Sequence, residues 1–111
     1  GVSRVEDTAE LEYGRQRYRA ELQRLLTVLD IQLASQASRV GDEDDIFVAS
    51  DDDISIADFM IYPWLRCIAG GYWGFNDLVP DTVTDPAPEY RVGPITKWPH
   101  VHRYYEQMKD R

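Results

Sequence analysis

The sequence has little with which to build a covalent framework, a membrane anchor or a nucleic-acid surface. A single cysteine, Cys67, excludes an intrachain disulfide and fits a reducing compartment, so a cytoplasmic location is expected. No apolar run is long enough to cross a bilayer. Only 12 Lys and Arg stand against 20 Asp and Glu, a net charge of −8, whereas binding to a phosphate backbone is built from clustered cations. Neither nucleic acid nor an anionic membrane surface is therefore an expected partner. The chain starts at Gly1 with nothing that resembles a signal or transit peptide, and it is expected to be a piece of a longer polypeptide.

Metal and nucleophile signals are equally thin. His100 and His102 are two residues apart, which on a helix points them in different directions, so no metal site is expected from them. Gly41 to Asp53 carries seven acidic side chains, but a calcium loop needs Gly at its sixth position. Counting from Asp42 that position is Phe47, and from Asp51 it is Ile56, so a solvated acidic loop is expected. Cys67 sits among Leu65, Arg66, Ile68 and Ala69, a setting that predicts a buried, inert thiol, since reactivity needs an exposed electropositive one.

What is present is enough for one domain spanning residues 1–111. A chain of this length buries roughly two thirds of the surface its unfolded form exposes, and 43% hydrophobic with 29% charged residues is a globular composition. Gly1 to Thr8 is polar and unpatterned and reads as a loop. From Ala9 to about Gln36 no Pro interrupts the chain, and Tyr18, Leu22, Leu25, Leu29 and Leu33 recur at helical spacing, widened by Leu26, Val28 and Ile31. The apolar half of this helix is expected to have neighbours on more than one side. Its other half, with Arg15, Arg17, Arg19 and Arg24, is expected to face water or an anion.

Ile54-Ser55-Ile56-Ala57-Asp58-Phe59 is a helix start. Ser55 and Asp58 stand in the reciprocal positions of a capping box, with Ile54 and Phe59 at the spacing of a hydrophobic staple. The helix is expected to run to about Ala69, burying Met60, Ile61, Trp64, Leu65 and Ile68, with a kink at Pro63 and a stop at Gly70-Gly71. Tyr72 to Leu78 reads as a short turn or helix, and Pro80 to Lys97, with four prolines, as an irregular surface connection. A last helix is expected from Trp98 or Pro99, with Val101, Tyr104, Tyr105 and Met108 on its buried stripe. With no convincing strand and no internal repeat, the fold class is all-α, an incomplete bundle of about three main helices.

Three motifs carry a resemblance. Ser55-Ile56-Ala57-Asp58 followed by Tyr62-Pro63-Trp64, and the helix start Trp98-Pro99-His100-Val101, resemble the C-terminal helical domain of the glutathione S-transferases. Tyr13-Gly14-Arg15-Gln16-Arg17-Tyr18 with Glu21, then Val28-Leu29-Asp30-Ile31-Gln32-Leu33, resembles the fifth helix of the nu-class, disulfide-bond-reductase-like members. The resemblance spans roughly Tyr13 to Arg111. Ser50 departs from the family's Gly, and the stretches Gly41 to Asp45 and Pro80 to Lys97 look like insertions.

This resemblance implies a parent enzyme in which glutathione, as thiolate, attacks a small electrophile, disulfide or peroxide. The thioredoxin-like N-terminal domain that holds and activates the thiol is not in this chain, and neither is the family's fourth helix. No catalytic residue, no metal and no transferase activity of the chain alone are expected. Tyr13 and Arg17 are implied at the mouth of the glutathione cleft, Arg17 meeting a glutathione carboxylate; the plain alternative is a solvated Arg paired with an acidic neighbour. Trp64 is implied in the co-substrate pocket, or else simply in the core. Ser55 and Asp58 are folding determinants. A homodimer or other self-association is expected through apolar surface left open on the first helix, and the competing function is a non-catalytic interaction module of the kind this fold provides in translation factors and aminoacyl-tRNA synthetases.

Overall fold

A computed structural model describes residues 4–41, 44–51, 53–70, 74–78 and 91–110, with side chains in the first helix described from Ala9. Among these residues the elements are α1 (Arg4–Val40), α2 (Ile56–Gly70), a 3-10 turn (Ile95–Lys97) and α3 (Pro99–Lys109). Among the described residues, an isolated bridge between Phe75 and Gly93 is the extent of the extended pairing. The all-α class holds. The first helix begins earlier than its polarity suggests, because Arg4 to Thr8 continue the same helix. Nothing in Asp7-Thr8-Ala9 breaks a helix, and an uninterrupted helix gains one backbone hydrogen bond per added residue.

The core forms where α3 packs against the C-terminal half of α1. Leu22, Leu26, Leu29 and Leu33 bury one stripe of α1 at spacings of four and three, meeting Val101, Tyr104 and Met108 of α3. Two polar contacts set the register. Trp98 Nε1 donates to Thr27 Oγ1 at 3.0 Å. Asp30 Oδ1 accepts from the amides of His100 at 2.8 Å and Val101 at 3.1 Å. Trp98, the residue before α3, offers no side-chain cap of its own, so a carboxylate from another helix satisfies the exposed first-turn donors and complements the helix dipole. Asp77 does the same for the 3-10 turn, accepting from Ile95 and Thr96.

The loop segments are less solvated than their composition suggests. Ile46 and Phe47 are buried inside the acidic stretch, and the Gln107 side chain clasps Ile46 from both sides, accepting from its amide at 2.7 Å and donating to its carbonyl at 2.8 Å. The end of the proline-rich connection is also not a surface loop: Val92 and Ile95 are fully buried. Arg19 and Gln23 of α1 donate to the carbonyls of Arg91 and Val92, so backbone groups lost to regular structure find partners on a neighbouring helix. Most of that connection, residues 79–90, together with 71–73, lies outside the described residues.

Removing the cross-helix cap tests this account. Asp30→Ala is expected to lower unfolding free energy by about 1 kcal/mol, the usual cost of losing a helix cap, read by urea denaturation. Leu26→Ala, at a fully buried position, is expected to cost about 3 kcal/mol.

Candidate functional site

The helix start at Ser55 forms, with one change in its wiring. The Asp58 carboxylate reaches back to the Ser55 amide at 2.9 Å. The Ser55 hydroxyl, expected to accept from the Asp58 amide, instead donates to the same carboxylate at 3.2 Å, while the Asp58 amide bonds the Ser55 carbonyl. A hydroxyl does better donating to an ion than accepting from a neutral amide. Asp58 is 1% exposed and its other oxygen accepts from the Val48 amide at 3.0 Å and the Tyr104 hydroxyl at 2.7 Å. One carboxylate thus ties the start of α2 to the acidic loop and to α3. Each oxygen of the Asp58 carboxyl accepts two hydrogen bonds. Burial, and then the hydrogen bond to Asp58, push the Tyr104 hydroxyl well above the ordinary tyrosine value.

Phe59 is 67% exposed, so it does not provide the buried contact of a staple, although Ile54 packs on the core. Met60, expected inside, is 70% exposed. Cys67, expected to be buried, is exposed as well. The reason is common to all three. Apart from Asp58 and Arg66, helix α2 is apolar on every side, so a pattern of apolar spacing could not single out which side meets α3. The buried side is Asp58, Leu65, Ile68 and Ala69, and Ile61 and Trp64 are partly buried. The helix continues through Pro63.

Trp64 and Ile61 face Leu25, Val28, Leu29 and Gln32 of α1 across an open apolar groove of about 390 Å³. Gln32 is the polar member, and its amide is already committed to the Val48 carbonyl at 2.8 Å. Contrary to a helix with neighbours on both sides, α1 leaves Val28 and Ile31 52% and 65% exposed. The groove suits an uncharged, apolar occupant.

Tyr13 and Arg17 occupy the other half of α1. They share one face, four residues apart, with the guanidinium donating to the Tyr13 hydroxyl at 3.5 Å. Tyr13 is 67% exposed and Arg17 is exposed. Neighbouring Glu21 is taken by Arg24, whose hydrogen bond holds the Glu21 carboxyl below its usual range. Arg17 makes no ion pair among the described residues, which leaves its fork open to a carboxylate. The pair is not brought to Trp64: Arg17 lies eight residues, about 12 Å along the helix, from Leu25 at the groove. His100 sits 3.6 Å from Asp30, and His102 3.8 Å from Glu106, so the two histidines serve different partners.

Comparison with known proteins places this arrangement. The profile of the family "Glutathione S-transferase, C-terminal domain" matches residues 12–107. The chain belongs to this family. No curated protein and no solved structure matches it. For a glutathione S-transferase C-terminal domain, the match takes in α2, most of α1 and α3, and both the Tyr13–Arg17 face and the groove. Among the described residues no helix is long and apolar enough to cross a membrane, and no group of side chains is arranged to hold a metal ion.

The partners of Asp58 are what the sequence could not reveal. Tyr104 was legible only as an apolar-stripe residue, and Asp30 and Asp77 carry no local sign of the helices they cap. Two outcomes check the role of Asp58. Asp58→Ala is expected to cost about 3 kcal/mol or more, because four backbone or hydroxyl donors lose their acceptor, and Tyr104→Phe about 2 kcal/mol. The pH dependence has a definite sign. An unfolded tyrosine ionises near pH 10, whereas the folded protein holds the Tyr104 proton to higher pH. The stability from this group is therefore complete below about pH 10 and is lost as the pH rises further. Urea midpoints measured through the alkaline range should fall more steeply for the native chain than for Tyr104→Phe.

Proposed function

We propose that this domain is the helical half of a glutathione-dependent transferase or disulfide reductase of the nu-class type. Its thiol-activating half is a thioredoxin-like domain carried elsewhere in the parent polypeptide. Free thiols ionise near pH 8.5, so glutathione must be stabilised as thiolate before it attacks a disulfide, peroxide or electrophilic carbon. That task falls to the other domain, and no residue of this chain is catalytic. The chain's own contribution is binding. Arg17 takes a glutathione carboxylate in a bidentate fork, and Tyr13 adds a hydroxyl donor on an apolar ring. Trp64 lines an apolar surface for the co-substrate.

The observation that carries this reading is the Tyr13–Arg17 face, exposed and with the guanidinium unpaired among the described residues, inside the stretch that matches the family. A second reading, a non-catalytic interaction module, is favoured by the exposed apolar outer face of α2. Kinetics of the parent enzyme separate the two. Arg17→Ala is expected to raise KM for glutathione about tenfold, as loss of one charge-assisted contact would, with little change in KM for the co-substrate. Trp64→Ala is expected to do the reverse. The 111-residue chain alone is expected to show no conjugation or disulfide reduction. A parent without glutathione-dependent turnover would favour the interaction module.

A further inference from the structure

Two arginines of α1 have one acidic neighbour between them. On a helix, side chains meet at spacings of three and four. Around Arg17 those positions hold Tyr13, Gly14, Ala20 and Glu21, and around Arg24 they hold Ala20, Glu21, Thr27 and Val28. Glu21 is therefore the carboxylate that both guanidinium groups have at helical spacing, and it cannot give its two oxygens to both at once.

The pair forms with Arg24. Arg24 Nε donates to both Glu21 oxygens at 3.2 Å, and Nη2 donates to Oε1 at 2.5 Å. The two side chains are 60% and 53% exposed, so the pair holds nothing in the core. Its order along the helix is the favourable one, with the acid N-terminal to the base. Arg17 and Glu21 stand in the reverse order, which the helix dipole weakens. Arg17 is near enough to act on Glu21 through its charge, yet its guanidinium points back to Tyr13 and donates to that hydroxyl.

We infer that Arg24 is a positioning residue for the ligand carboxylate: by holding Glu21 it keeps an internal competitor off the Arg17 fork. A carboxylate on the same helix offers Arg17 the same group as the ligand does, at an effective concentration a free ligand does not match. Without Arg24, the cation left to Glu21 at helical spacing is Arg17, and the two pair. A ligand then binds only the fraction of molecules in which Arg17 is open, and its apparent affinity falls by that fraction. Arg24 acts through Glu21 and Arg17 and needs no contact of its own with the ligand. The inference rests on the proposed role of Arg17 as the carboxylate site.

Steady-state kinetics of the parent enzyme test it, with KM for glutathione read against kcat and against KM for the co-substrate. Arg24→Ala is expected to raise KM for glutathione about two- to threefold, the weight of one exposed ion pair on a helix, and to leave the other two constants unchanged. Adding Glu21→Gln should return KM to the native value, since an amide does not compete for the fork. Arg24→Lys, which keeps the charge and still reaches Glu21, should stay near native. Glu21→Gln alone should change nothing, because Glu21 is already occupied. If it instead lowers KM as much as Arg24→Ala raises it, net charge near Arg17 is what matters and the inference is overturned. A native KM in Arg24→Ala, where Arg17→Ala raises it, also overturns the inference and leaves the carboxylate site standing. If Arg17→Ala has no effect either, the carboxylate site itself fails and the inference goes with it. NMR titration of the Glu21 carboxyl in the 111-residue chain reads the pairing without glutathione. Arg17→Ala should shift that titration upward more in the Arg24→Ala background than in the native one, and equal shifts overturn the inference.

Discussion

A polar group removed from water must recover its lost hydrogen bonds inside the protein, and the Asp58 carboxyl is held by four donors from three parts of the chain. That condition makes the site cooperative. The Ser55 amide and hydroxyl present themselves only if α2 starts where it does. The Val48 amide presents itself only if the acidic loop folds back, and the Tyr104 hydroxyl only if α3 has docked. Each element is placed by an interaction that the others complete. Burial excludes the water that would otherwise weaken every one of these bonds.

The same economy appears wherever this small domain has to end or start a helix. Asp30 on α1 caps α3, Asp77 caps the 3-10 turn, and Gln107 on α3 holds the backbone of Ile46. Backbone groups at element ends need partners. In a domain with three main helices those partners come from neighbouring elements, so capping and tertiary packing are one process. The acidic composition serves this purpose in part: several of the carboxylates that lower the net charge are caps.

Burial and exposure are divided along α1. Its C-terminal half buries a leucine stripe against α3, while its N-terminal half projects Tyr13 and Arg17 into solvent, where a carboxylate ligand could reach them. The groove beside Trp64 is lined by the C-terminal half of α1, and the outer face of α2 is apolar and exposed. A helix that is apolar on every side is built to be surrounded. In this domain it is covered on the α3 side and open on the other, and surfaces of this kind are where a helical domain meets other folded surfaces. On the proposed function, the helical part binds and positions while the chemistry is done by another domain.

Local chemistry was readable in advance. The Ser55–Asp58 helix start, the leucine periodicity of α1, the Pro99 start of α3 and the all-α class all follow from interactions within a few residues, and a sequence states those directly. Which side of α2 is inside does not follow, because Met60, Phe59 and Cys67 are as apolar as Leu65 and Ile68, and only the docking of α3 distinguishes them. The hydroxyl of Tyr104 meeting Asp58 across 46 residues, and Asp30 capping a helix 70 residues away, depend on how separate elements come together in space. Periodicity reports a residue's neighbours along one helix. The partner on another helix is decided by packing, which satisfies many such contacts at once.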